Sequence, residues 1–262
     1  MYFKTIYEFL FISLFACTLV LPQNVFAKGD ENSNLVPTGD GIARPSYSSG
    51  VDQNPCGVIL NSKNKFHFEA LIPKSGGENG YGAHFLFGNS NYMGASIGVR
   101  NINKDNYGIL GLALKLNSLD TALGVTAKSK FNGDSADAHV GLMIGSSKAV
   151  KLAVAAYGVR GGIDGFGGGL GIDVGSGAGI SIDAGVDNKG KGLRVKPGLI
   201  VSNNQIALSA AFGFDVDKKA HGYNPISSDF SAGLGISATN NIKLEALYQT
   251  ISNIYAGLSY VF

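Results

Sequence analysis

Tryptophan is absent from this 262-residue chain, cysteine occurs only twice, and charged residues make up just 15%. Each scarcity excludes something. Cys17 lies in an apolar N-terminal run and Cys56 stands alone beyond it, so once that run is removed no internal disulfide can form. One cysteine and four dispersed histidines show no metal-ligand spacing, so no metal and no cofactor is expected. A net charge of +2 without any basic run gives no reason to expect a nucleic-acid partner. There is no G-x-S-x-G elbow, no His-Glu-x-x-His helix and no phosphate loop between a strand and a helix. The glycine run Gly161-Gly162-Ile163-Asp164-Gly165-Phe166-Gly167-Gly168-Gly169 precedes no helical pattern, and glycine in strands more often marks a bend or a close backbone approach. His221 is the lone histidine of the longest expected loop and has no evident partner, so catalysis is not expected.

What is present begins with an export signal. Lys4 precedes Phe9 to Leu21, an apolar run of thirteen residues that is too short to span a bilayer as a helix. Pro22 ends it, and Val25-Phe26-Ala27 offers aliphatic or small residues at the cleavage positions before Lys28. Residues 1–27 are therefore expected to be removed. A lipoprotein-type site at Leu14-Phe15-Ala16-Cys17 is disfavoured by the bulk of Phe15.

Beyond residue 63 the chain alternates with a period of two. Fourteen segments of about ten residues stand out, roughly 65–73, 80–89, 92–103, 106–117, 119–131, 136–146, 148–160, 165–174, 178–187, 192–202, 205–217, 228–239, 241–250 and 253–262. Their length suits tilted transmembrane strands better than soluble ones. In 205–217, Ile206, Leu208, Ala210, Phe212, Phe214 and Val216 share one face, and Ala207, Ser209, Ala211, Gly213, Asp215 and Asp217 the other. A soluble sandwich would show the same period, so the links between segments matter. Every second link is short (Ser90-Asn91, Ser118, Ser147, Gly175–Gly177, Asn203-Asn204, Asn240) and most of the others are longer (74–79, 132–135, 161–164, 188–191, 218–227). That pattern and the even count predict an all-β fold: an antiparallel up-and-down barrel of about fourteen strands, with twelve as the alternative, over residues 64–262.

The face opposite the apolar stripe carries the charge. Lys65, His67, Glu69, Arg100, Lys115, Asp120, Lys128, Lys130, Asp137, His139, Lys151, Asp173, Asp183, Arg194, Lys196, Asp215, Lys243 and Glu245 are the candidates for an inward, pore-lining set. A Lys or Arg facing mid-bilayer lipid costs about 2–4 kcal/mol, so their consistent placement carries meaning. Two arrangements fit: a wet passage, or charges that pair off and fill the interior. Tyr107, Tyr157, Phe131, Tyr248, Tyr255, Tyr260 and Phe262 lie near strand ends and are candidates for aromatic girdles.

The last ten residues, NIYAGLSYVF, place Ile254, Ala256, Leu258, Tyr260 and Phe262 on one face, with Phe262 at the C-terminus. This resembles the C-terminal signature of bacterial outer-membrane β-barrels. The resemblance implies an outer-membrane location, contact with outer-membrane lipid, and recognition of Tyr260 and Phe262 by the barrel assembly machinery.

Residues 28–63 are polar and carry Pro37, Pro45 and Pro55; they read as a periplasmic tail or as a plug inside the barrel. The stretch GDGIARPSYSSGVDQNPCGVILNSKNKFHFEALI resembles the opening of FadL-family outer-membrane channels, with Asn54-Pro55-Cys56-Gly57 at the position of that family's Asn-Pro motif and Cys56 replacing its usual Ala. The resemblance implies a lumenal plug containing Asn54 and Pro55, and passage of small solutes, hydrophobic ones among them, through the barrel. The alternative is a structural or surface-interaction barrel with a filled lumen and no transport.

Overall fold

The computed structural model describes residues 41–45, 54–59, 64–73, 79–89, 92–116, 119–132, 136–160, 162–175, 177–190, 192–217, 230–249 and 253–262. The expected signal, residues 1–27, and His221 lie outside the described residues.

Fifteen strand segments build the wall: β1 (Lys65–Pro73), β2 (Gly80–Asn89), β3 (Met93–Ile102), β4 (Asp105–Leu116), β5 (Thr121–Lys130), β6 (Ala136–Ile144), β7 (Val150–Tyr157), β8 (Gly165–Gly175), β9 (Ala178–Asp187), β10 (Arg194–Ser202), β11 (Ile206–Phe212), β12 (Phe214–Asp215), β13 (Phe230–Ser237), β14 (Ile242–Gln249) and β15 (Asn253–Val261). β11 and β12 are two pieces of one wall strand, interrupted at Gly213 and both paired with β10. The wall thus has fourteen antiparallel strands, each bonded to its sequence neighbours, and closes on itself where β1 meets β15. Closure runs in unbroken register from Lys65↔Val261 to Pro73↔Asn253. No free sheet edge is left, which is the condition for strands to stand in hydrocarbon.

The period-two pattern sorts the faces as the sequence predicts. Ile97, Leu110, Ile182, Leu199, Leu208 and Phe212 are exposed on the outside. Their neighbours in sequence point inward and are small or polar, such as Ser96, Gly111, Asp183 and Ala207. No helix among the described residues is long and apolar enough to cross a membrane, which leaves open crossing by strands.

The short-and-long rule for links has two exceptions at the end opposite the barrel's termini: the last link, near Ser252, is three residues long, as the sequence shows, and the β3–β4 link is shorter still. β3 and β4 are joined by Asn103-Lys104 alone, with φ of 51° and 74°. A two-residue turn with both central residues at positive φ matches the twist of paired strands, so this hairpin needs no longer loop.

Candidate functional site

The interior holds two stretches of the chain that precede β1. Residues 41–45 and 54–59 are all buried, and we call them together the strap. Neither joins the sheet; both lie against inward faces of the wall.

The second stretch is a single 3-10 turn, Pro55–Val58, capped by Asn54. Asn54 Oδ1 accepts from Cys56 N at 3.0 Å, and Pro55 occupies the first helical position, where its missing N–H costs nothing. Cys56 Sγ donates to Ala122 O of β5 at 3.2 Å. The turn packs on the faces of β3, β4, β5 and β6, and joins Ala113, Ala122 and Met143 in one apolar cluster. Glycines make room for it: a Cβ at Gly124 would stand 2.6 Å from Cys56 N, and one at Gly94 2.8 Å from Val58 O. Burial pushes the Cys56 thiol up from its ordinary value near 9 to about 12, so the group stays protonated and weakly nucleophilic.

The first stretch lies along β8 with one strap residue over each second wall residue. A Cβ at Gly167 would strike Ile42 Cδ1; at Gly169 it would stand 2.8 Å from Ala43 N; at Gly171 it would stand 3.0 Å from Arg44 Cγ. Two aspartates flank this row. Ala43 N donates to Asp183 Oδ1 at 3.0 Å, and the Arg44 guanidinium pairs with Asp173, which also takes Lys151 Nζ at 2.6 Å. Asn54 Nδ2 donates to Ile42 O at 2.8 Å and so ties the two stretches together.

Across the lumen, a polar network spans the closing seam. His67 reaches Ser259 Oγ at 2.8 Å and Tyr255 OH at 2.6 Å, both on β15. Glu69 accepts from His84 Nε2 at 2.9 Å and from both Nε and Nη2 of Arg100, a forked pairing typical of carboxylate and guanidinium. All of these side chains are buried.

The remaining candidates also face inward and find neighbours along the wall. Lys65 lies within electrostatic reach of Glu245 and Lys243. Lys115 bonds Ser147 and lies 3.6 Å from Asp120. Lys130 pairs with Asp105 at 2.7 Å, and Lys128 and Lys130 both stand over the Tyr107 ring. Asp137 lies 3.6 Å from His139 Nε2. Arg194 lies 3.8 Å from Asp215, and Lys196, only 1% exposed, stands opposite Asp183 in the β9–β10 register. Among the described residues, no group of three His, Cys, Asp or Glu could hold a metal ion.

Three girdle candidates are corrected. Tyr157 is fully buried and Tyr255 nearly so, both inside, where Tyr157 meets the His139 ring edge-on and Tyr255 bonds His67. Tyr107 shares the inward face of Arg100 and Lys130, its partners in register. A tyrosine near a strand end can serve either face, and only the alternation count separates them. Phe131, Tyr260 and Phe262 are exposed outside, and Tyr248 pairs across the sheet with the outward Ile254.

The plug alternative covered residues 28–63 as a whole, but sequence reasoning did not single out Ile42, Ala43 and Arg44 within it. The signal was the row Gly167, Gly169 and Gly171 beside Asp173. It reads as a smooth lumenal surface, yet an inward face without side chains is also a seat for another piece of chain.

No family model matches this sequence, and no curated protein matches it. Among solved structures, the chain is similar to the outer membrane protein Omp33 of Acinetobacter baumannii, with 10% identity, 77% of this chain and 98% of that one covered, and a TM-score of 0.54. A KdgM porin matches at 11% identity over 76% of this chain and 99% of that one, with a TM-score of 0.44. A Rh. blastica porin variant matches at 8% identity over the same shares, with a TM-score of 0.47. At such identities the Omp33 likeness establishes the barrel fold, and the two lower scores add nothing to it.

Proposed function

We propose that this chain is an outer-membrane channel for small solutes, whose lumen is closed by its own strap until the strap moves. The observation that carries this reading is the way the strap is held. Its ties to the wall include side-chain and backbone hydrogen bonds at Cys56 and Ala43, the Arg44 ion pair and apolar packing, and among the described residues no strand pairing fastens it. The wall itself is complete without it. A lining of charged and small residues suits an aqueous passage once that occupant leaves. The position of Asn54 and Pro55 inside the barrel supports a FadL-like arrangement, and with it hydrophobic solutes among those carried. An outer-membrane location, exit through a cleaved signal 1–27 and recognition of Tyr260 and Phe262 by the assembly machinery belong to the same proposal.

Conductance in planar bilayers tests it. The full mature chain should show rare openings, and Asn54→Ala should show frequent ones. Folded protein without conductance in either form, and without solute entry into liposomes, overturns the channel.

One observation favours a second reading, a filled barrel without transport. The interior charges pair laterally, as in Glu69 with Arg100 and Lys151 with Asp173, so little charge is left to greet a solute. The same conductance experiment decides between the two.

A further inference from the structure

The strap's first stretch shows what its seat recognises. Arg44 is buried with its guanidinium on Asp173, itself only 6% exposed, and Nη1 also points at Ile172 O at 3.4 Å. Gly171 and Gly179 floor the site. An added Cβ at Gly179 would stand 2.7 Å from Arg44 Cζ, and one at Gly171 3.4 Å from Arg44 Cδ. The backbone just before the arginine is recognised as well, because Asp183, 2% exposed, accepts from Ala43 N. Gly169 leaves space for a small residue there and no more, since its own Cβ would stand 2.9 Å from that of Ala43. Two carboxylates spaced for one N–H and one guanidinium, over a glycine floor, make a site whose dimensions are set by an alanine followed by an arginine.

We infer that this wall site, between β8 and β9, binds guanidinium-bearing short peptides of the type small residue–Arg, and that Ile42–Arg44 occupies it as an internal stand-in for such a solute. A free dipeptide of this kind places its α-ammonium where Ala43 N lies, against Asp183, and its guanidinium on Asp173. The guanidinium contact is the charged pair Arg44 already makes, while the contact to Asp183 becomes charge-assisted and is strengthened over the strap's neutral N–H. A lysine analogue lacks the planar fork and fills the glycine floor poorly. The inference rests on the channel reading for access to the site from solution, and deepens it by naming a solute class.

Binding and conductance are measured on separate variants of the full mature chain in detergent and in bilayers. Arg44→Ala vacates the guanidinium position while leaving the rest of the strap in place. Methylguanidinium should bind this folded variant saturably at millimolar concentration and raise its thermal transition, and methylammonium should not. Adding Gly179→Ala, which puts a methyl group into the vacated space, should weaken that binding at least tenfold without unfolding the barrel. In bilayers, Ala-Arg should interrupt the current of the open Asn54→Ala channel at concentrations at least tenfold lower than Ala-Lys. No saturable binding by folded Arg44→Ala, or equal binding of methylammonium, overturns the site. Binding together with a current indifferent to Ala-Arg overturns the solute class. Binding in a barrel that never conducts leaves the guanidinium site standing and overturns the channel reading instead.

Discussion

Asn54 Nδ2 and Ile42 O are joined by a buried hydrogen bond of 2.8 Å, and this one contact ties together the two strap stretches inside the barrel. The same side chain caps the 3-10 turn through its oxygen. Asn54 uses both ends of its amide, which no other residue type of that length does with the same geometry.

Asn54→Ala removes both bonds and leaves the Ile42 carbonyl and the Cys56 N–H buried without their partner. Each such group costs about 1–3 kcal/mol, and the loss should fall on strap docking, not on the wall. Limited proteolysis should cut the strap faster, while the heat-modifiable gel mobility of the barrel stays unchanged. A wall that unfolds with the strap would show that the two form one cooperative unit.

Gly124→Val should expel the 3-10 turn. Its first added atom already stands 2.6 Å from Cys56 N, and the neighbouring contact is backbone that cannot rotate away. Maleimide should then label Cys56 in the folded protein at a rate at least tenfold above wild type. Unchanged labelling would show that the turn is not seated on β5.

Cys56 also sets a pH dependence. Its folded thiol titrates near 12 and its unfolded thiol near 9, so the folded state keeps the proton longer. The associated stability is present below about 9 and is lost as pH rises from there toward about 12, at about 1.4 kcal/mol per pH unit while the two states differ by a whole proton. The urea midpoint should therefore fall between about pH 8 and about pH 10.5 by more in wild type than in Cys56→Ala. Equal falls in the two proteins would remove the thiol from the account.

Glu69→Gln leaves Arg100 buried without its counter-charge. Breaking one side of a buried pair typically costs about 3–5 kcal/mol, and here the loss lies beside the closing seam. A lowered urea midpoint should accompany it, and Glu69→Gln combined with Arg100→Met should recover part of the loss.

Deletion of Phe262 should lower the yield of assembled barrel and leave the conductance of assembled copies unchanged. Its ring lies 5.5 Å from Phe66 and 6.0 Å from Phe85, outside the wall at the seam, and its N–H donates to Asn64 O. Normal yield without Phe262 would separate this cluster from assembly.

The wall was legible in the sequence because one rule, period two, governs almost every residue from 65 onward. It located the fourteen strands and placed the charges of Glu69, Arg100, Asp173 and Asp183 inside. The lumen's contents were legible only in part. Asn54 and Pro55 stood out through a motif, whereas Ile42 and Arg44 lie in a stretch with no periodicity, and their place is set by distant glycines on β8 and β9. Which tyrosines face inward was misjudged at positions 107, 157 and 255, because an aromatic ring suits a lipid boundary and a histidine partner equally well.

The contacts described for the strap run to β3 through β9, while the barrel is sealed between β1 and β15. The surface that receives the strap is therefore the middle of the chain, and the joint that encloses it is made from the two ends. A sheet still open at that joint already offers the whole seat, so the strap can be laid down on a half-rolled surface and enclosed as the cylinder shuts. Nothing in this geometry requires a finished tube to be threaded from its mouth.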